Sequence, residues 1–363
     1  MSERTAIDDP GRGLPGHGAR GQELAARGEA RPPVLLIHGL FAGAWVLAEW
    51  QRRLAARGYP AYAIDLRGRP GGRPVPDLGR VPFAAYLEDA MEAARRLAAE
   101  TGRNPIVIGH SLGGLIAQKL AEADVVTAAV LVCPAPPRGI PLVGLTLYAR
   151  LLKYLPAILG ARPVLPSRAD ADAVILNAVP PDERAAGYAR LVPDSGRAGR
   201  DILLGVPVDA ARVRCPVLVV SASEDRFVPP RIAHHVAKRY RAPFREYFGN
   251  GHFLPGEPGW ETALDEIEHW LDQTLALGGH DSPGIIRLQE LAALRGKTVE
   301  LAFRDGHVVR ARVVSVDFEP PAEIVYEVLA VLEVGPPHLA DVKPGRVAAA
   351  PLDQIRQYTP ARG

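Results

Sequence analysis

The sequence predicts an α/β fold: a mostly parallel sheet with helices on both faces, a helical insertion, and a small all-β barrel-like unit at the C-terminal end. Three observations carry this reading. From residue 32 to residue 133, short apolar runs alternate with amphipathic stretches, the pattern of βαβ units. The rhythm lapses over 138–205 and resumes at Val217. Beyond Gly278–Pro283 the helical period gives way to strand-like alternation.

The elements follow in order. Residues 1–30 are rich in breakers and read as a disordered tail. Pro33–Ile37 is a buried strand, and Trp45–Arg57 a helix stopped by Gly58. Ala61–Ile64 is a strand and Phe83–Glu100 a long amphipathic helix. Pro105–Ile108, the helix Leu112–Glu122 and the strand Ala128–Val132 continue the series. Residues 138–205 contain helix-like pieces and no clear strand, so they read as a cap inserted at the strand carboxyl ends, where open α/β sheets bind ligands. Val217–Val220, the helix Arg231–Tyr240, the strand Arg245–Phe248 and the helix Trp260–Leu275 complete a unit spanning 31–278. Residues 284–359 form the second unit. Val299–Phe303, a turn at Asp305-Gly306 and Val308–Val316 read as a hairpin, followed by strands at Ile324–Val334 and Val347–Pro351.

Composition narrows the function. The 363 residues are 47% hydrophobic and 23% charged, ordinary for a folded chain. Forty-three basic and 41 acidic residues leave a net charge of +2, no footprint for nucleic acid or anionic membrane. From Asp281 onward, 10 basic residues face 11 acidic ones, so the second unit is no nucleic-acid binder either. No apolar run approaches the roughly 18 residues of a membrane span, and the N-terminus has no secretory apolar core, so a cytoplasmic location is expected. Cys133 and Cys215 each adjoin a strand-like run and read as buried packing residues.

The chemistry concentrates in Gly109-His-Ser111-Leu-Gly113, a G-x-S-x-G placed directly after an apolar strand and before a helix. A turn that sharp forces Ser111 into a strained backbone conformation, and the glycines leave room on either side. The hydroxyl then stands at a helix N-terminus, where negative charge is favoured. Serine needs a base, and the base an orienting acid. Two later loops, each following a strand, supply them: Glu224-Asp225 and Gly251-His252. All three lie on the same sheet edge, in the order Ser, Asp, His.

These segments, with His38-Gly39-Leu40, resemble the α/β-hydrolase fold superfamily of serine esterases and lipases over about residues 32–276. The resemblance implies that Ser111 is the nucleophile, His252 the general base and Asp225 its orienting acid, preferred over the rival Glu224. It implies an oxyanion hole made of the backbone N–H groups of Leu40 and Leu112. It also implies departures: about 30 residues precede the first strand, so the sheet is expected to have six strands, and the loop Asp65-Leu-Arg-Gly-Arg-Pro-Gly-Gly continues in a Pro-rich stretch. The C-terminal unit resembles Sm-like or SH3-like barrels only through Leu294–Val299 and Phe303–Gly306.

Bland readings stand beside the sharp ones. His38 and His110 read as packing residues, and the adjacent His234 and His235 face different ways, so no metal site is expected. Leu142, Leu145 and Leu152 either pack on the core or, with Phe253, line an acyl pocket. The reading is a cofactor-free serine hydrolase of carboxylic esters, or thioesters, with an apolar acyl or alcohol part. Its alternatives are a non-hydrolytic triad enzyme, such as a lyase or perhydrolase, and a scaffold built on the same shell. Self-association or a protein partner is the expected use of residues 284–359.

Overall fold

Alternate residues of each short strand point to opposite faces, and both faces of the sheet are buried. In β1 (Val34–Ile37), Val34 and Leu36 enter one hydrophobic cluster while Leu35 and Ile37 enter another. This explains why the strands read as unbroken apolar runs. In this computed structural model the described residues are 31–141, 150, 152–276, 296–303, 308–317, 323–333, 344–345, 347–351 and 355–360.

After β1 come α1 (Ala48–Ala56), β2 (Ala61–Ile64), α2 (Phe83–Thr101), β3 (Ile106–His110), α3 (Leu112–Glu122) and β4 (Ala128–Val132). The inserted segment holds α4 (Leu155–Leu159), β5 (Pro163–Val164), α5 (Arg168–Val174), α6 (Arg184–Ala189), β6 (Asp194–Ser195) and α7 (Gly196–Leu204). Then follow β7 (Val217–Ala222), α8 (Pro230–Tyr240), β8 (Phe244–Tyr247) and α9 (Trp260–Ala276). The six-stranded sheet has the order β2-β1-β3-β4-β7-β8, and every neighbouring pair is parallel. Helices α2, α3 and α8 cover one face through residues such as Tyr86, Leu115 and Val236. Helices α1 and α9 cover the other through Trp50, Leu54 and Leu264. Because β2 and β3 flank β1, the strand order reverses between β1 and β3. The crevice at their carboxyl ends is where such sheets accept ligands.

Two expectations need correction. The inserted segment is not strand-free: β5 and β6 pair antiparallel, Pro163 with Ser195 and Val164 with Asp194. Two residues per strand are too few to show a period. The strand expected at Arg245–Phe248 ends at Tyr247, and Phe248 is 86% exposed.

The C-terminal unit is a five-stranded antiparallel sheet: β9 (Thr298–Phe303), β10 (Val308–Asp317), β11 (Glu323–Glu333), β12 (Val347–Pro351) and β13 (Ile355–Pro360), in the order β12-β11-β10-β9-β13. Val299, Leu301, Val309, Ala311 and Val313 are buried, the alternation seen in the sequence. Register shifts between β10 and β11 mark bulges, which bend a sheet. Asp305-Gly306 lies outside the described residues. Among the described residues, no helix is long and apolar enough to cross a membrane.

Candidate active site

Ser111 follows β3 directly and adopts φ 55°, ψ −114°, a region that costs a non-glycine residue about 1–3 kcal/mol. The surroundings enforce it. Ser111 N–H donates to Val132 at 2.9 Å, and its carbonyl accepts the N–H groups of Gly114 and Ala135, each at 2.9 Å. The flanking glycines are needed for backbone contact. A Cβ at Gly109 would lie 2.1 Å from the Gly113 carbonyl oxygen, and one at Gly113 would lie 2.1 Å from that of Ile37.

The three residues that the sequence pointed to meet here. Ser111 Oγ lies 3.0 Å from His252 Nε2, and His252 Nδ1 lies 2.8 Å from Asp225 Oδ2. All three are buried. The other Asp225 oxygen accepts the N–H groups of Phe227 at 2.9 Å and Val228 at 2.7 Å, which fixes the carboxylate in its own loop. Glu224 is exposed, and its backbone holds Asn250 and Asn177 instead. A carboxylate can only accept, so Nδ1 carries the proton and Nε2 presents a lone pair to the serine hydroxyl. The imidazole packs against Phe227, with ring centroids 4.8 Å apart.

The other two histidines of the site are buried and neutral. His38 Nε2 accepts the Leu66 N–H at 3.2 Å, so its Nδ1–H donates to the Gly39 carbonyl at 2.7 Å. Burial, and then the Arg69 charge, push His38 down to about 3. His110 Nε2–H donates to the His252 carbonyl at 2.7 Å, and burial with the neighbouring His252 lowers it to about 3 as well. Both support backbone and neither is poised for proton transfer.

Leu40 and Leu112 stand beside Ser111 in the wall of one cavity, and neither N–H finds an acceptor among the described residues. The opposite wall comes from the insertion and is mostly apolar, with Ile158, Val164, Val174, Ile175 and Ile202. The four residues named for the pocket fare otherwise. Leu142 and Leu145 lie outside the described residues. Leu152 is 52% exposed and Phe253 is buried against Trp45, so neither reaches the cavity. Apolar character alone could not say which side of each short helix faces inward.

Cys133 and Cys215 are free and buried. The Cys133 sulfur, the Asp225 carboxylate and a His252 ring nitrogen lie within 4.8 Å of one another. Burial, then the nearby Asp225 carboxylate, raises the Cys133 thiol well above its usual range.

A sequence profile of the alpha/beta hydrolase family matches residues 34–267. The chain belongs to that family. The alpha/beta hydrolases it resembles include the pimeloyl-[acyl-carrier protein] methyl ester esterase of Neisseria meningitidis serogroup A. That enzyme is 29% identical over 252 residues, 61% of this chain and 71% of the relative. The monoacylglycerol lipase of Mycolicibacterium smegmatis is 29% identical over 260 residues, 67% of this chain and 89% of the relative. Among solved structures, the monoacylglycerol lipase of Paleococcus ferrophilus shares the fold with a TM-score of 0.51 at 22% identity, over 67% of this chain and 96% of that one. This alpha/beta hydrolase is an enzyme acting on ester bonds.

Sequence reasoning missed three charged residues around the site. Glu257 is buried and accepts the backbone N–H groups of Gly251 at 2.6 Å and Phe253 at 3.1 Å. Asp194 and Arg69 form a buried ion pair behind the Leu40 loop. A carboxylate five residues from a histidine, or one in a two-residue strand, carries no signal of its own. Only the run Gly-His-Phe-Leu-Pro-Gly-Glu, with its turn residues, hints that Glu257 folds back.

Proposed function

We propose that the protein hydrolyses carboxylic esters with an apolar acyl part by way of an acyl-enzyme on Ser111. One observation carries the reading: the continuous hydrogen-bonded line from Ser111 Oγ through the His252 ring to Asp225, opening onto a largely apolar cavity.

In the first half-reaction the Ser111 oxygen attacks the ester carbonyl while its proton moves to His252 Nε2. The carbonyl oxygen becomes an oxyanion, and the unengaged N–H groups of Leu40 and Leu112 receive it. Asp225 holds the imidazolium and is not itself protonated. The tetrahedral species collapses, the carbon–oxygen bond to the alcohol breaks, and His252 gives its proton to the departing oxygen. Water then enters and loses its proton to Nε2. It displaces the serine, which recovers the proton as the acid leaves.

The test is hydrolysis of p-nitrophenyl esters from acetate to palmitate by the wild type and Ser111→Ala. The expected outcome is activity in the wild type and loss of about 10⁵–10⁶ in kcat in the variant. Activity that survives Ser111→Ala, or a wild type that neither turns over any ester nor takes up a fluorophosphonate, would overturn it.

A further inference from the structure

Asp194 belongs to β6 of the insertion, yet its Oδ2 accepts the backbone N–H of Phe41, 153 residues away, at 2.9 Å. The same oxygen accepts a guanidinium N–H of Arg69, and neither side chain is more than 1% exposed. Arg69 Nε donates to the carbonyl of Ala42 at 2.7 Å. The second Asp194 oxygen accepts the Tyr86 hydroxyl and the Ser195 N–H, each at 2.7 Å. One ion pair therefore grips the main chain at residues 41 and 42, directly after Leu40. The grip has something to resist. Phe41 sits at φ 63°, which a bulky residue adopts only under constraint. Leu40, on the cavity wall, keeps its N–H without an acceptor.

We propose that Asp194 and Arg69 are positioning residues that hold the Leu40 N–H where an oxyanion develops. The donor is thereby set by the insertion as well as by the sheet. The inference rests on the serine-ester reading above. A loosened donor weakens the transition state more than ground-state binding: Asp194 borders the cavity, but its side chain is only 1% exposed and the apolar lining residues stay in place.

The experiment compares wild type with Asp194→Asn, using p-nitrophenyl butyrate as substrate and an alkyl trifluoromethyl ketone as the tetrahedral oxyanion mimic. Active sites are counted by fluorophosphonate titration. Leu97→Ala, about three turns along α2 from Tyr86 and in the hydrophobic cluster that holds neither Phe41 nor Ala42, serves as a destabilised variant. For Asp194→Asn, kcat is expected to fall about 10–100-fold, less than for outright loss of a donor. The ketone Ki should rise by the same factor and KM should stay within about threefold. Leu97→Ala should keep kcat and Ki per titrated site. If Asp194→Asn does not fold, Arg69→Lys replaces it. That variant keeps the charge but has one nitrogen for two acceptors, and the same readings apply. Unchanged kcat and Ki in the folded variant, or a loss carried wholly by KM, would overturn the inference. A wild type that neither cleaves the ester nor binds the ketone would instead overturn the function reading.

Discussion

Glu257 brackets His252: one buried carboxylate accepts the N–H of the residue before it and the N–H of the residue after it. Burial pushes the Glu257 carboxyl up from its usual range, while these two bonds and one from Asn250 at 3.3 Å hold it back. Glutamine offers one acceptor oxygen where two are in use. Glu257→Gln should cost about 1–3 kcal/mol in urea unfolding and lower kcat about tenfold at constant KM. A variant that loses stability while kcat per active site holds would show that the histidine loop keeps its shape unaided.

Asp225→Asn should disable the base by reversing its tautomer. The Phe227 and Val228 N–H groups demand an oxygen on their side. The amide nitrogen is thus turned to His252 Nδ1, which must then accept, so the proton moves to Nε2 and faces Ser111. A kcat loss of about 10⁴-fold with little change in KM is expected from steady-state assays. A loss below about tenfold would place the orienting role elsewhere.

The cavity can be shortened without damage to its frame. Gly199 lies within α7 and on the cavity wall, and a Cβ there would meet only Ile158, at 4.0 Å. Replacing a mid-helix glycine removes a penalty of about 0.5–1 kcal/mol. Gly199→Leu should therefore fold with unchanged or higher Tm and shift the preferred p-nitrophenyl ester to a shorter acyl chain. An unaltered chain-length profile would mean that the acyl group lies elsewhere.

Stability should fall with acid because His38 and His110 are buried in the neutral form. Each binds its proton at about 3 when folded and near 6.5 when unfolded. Their contribution is complete above pH 6.5 and is lost progressively as the pH falls from there toward 3. Each group contributes a slope of up to about 1.4 kcal/mol per pH unit. His110→Gln should flatten the curve by that slope between pH 6 and 4 in denaturant unfolding. Parallel curves for the two proteins would contradict a neutral buried His110.

What could be read from the sequence was what is local. A strand, a tight turn and a helix are contiguous, so Ser111 announced itself, and the loops carrying Asp225 and His252 each follow a strand. The six-stranded sheet was legible for the same reason, since each buried strand is a short apolar run. The Asp194–Arg69 pair spans 125 residues and exists only because the insertion folds back over the sheet. In isolation Asp194 reads as a turn residue and Arg69 as part of a polar loop. Strand β13 was missed because Ile355–Pro360 mixes Arg, Gln and Thr with few apolar residues, as an edge strand can.

At the serine turn, Gly109 meets the main chain of Gly113, and Gly113 that of Ile37, with no side chain between them. Where side chains fill the space between elements, spacing depends on their size and shifts as they are exchanged. Here the distance between Ser111 and the sheet is set by peptide against peptide, a dimension every sequence shares. The surrounding chain can therefore vary its core, its insertion and its cavity over many substitutions while the Ser111 hydroxyl stays in register with its partners.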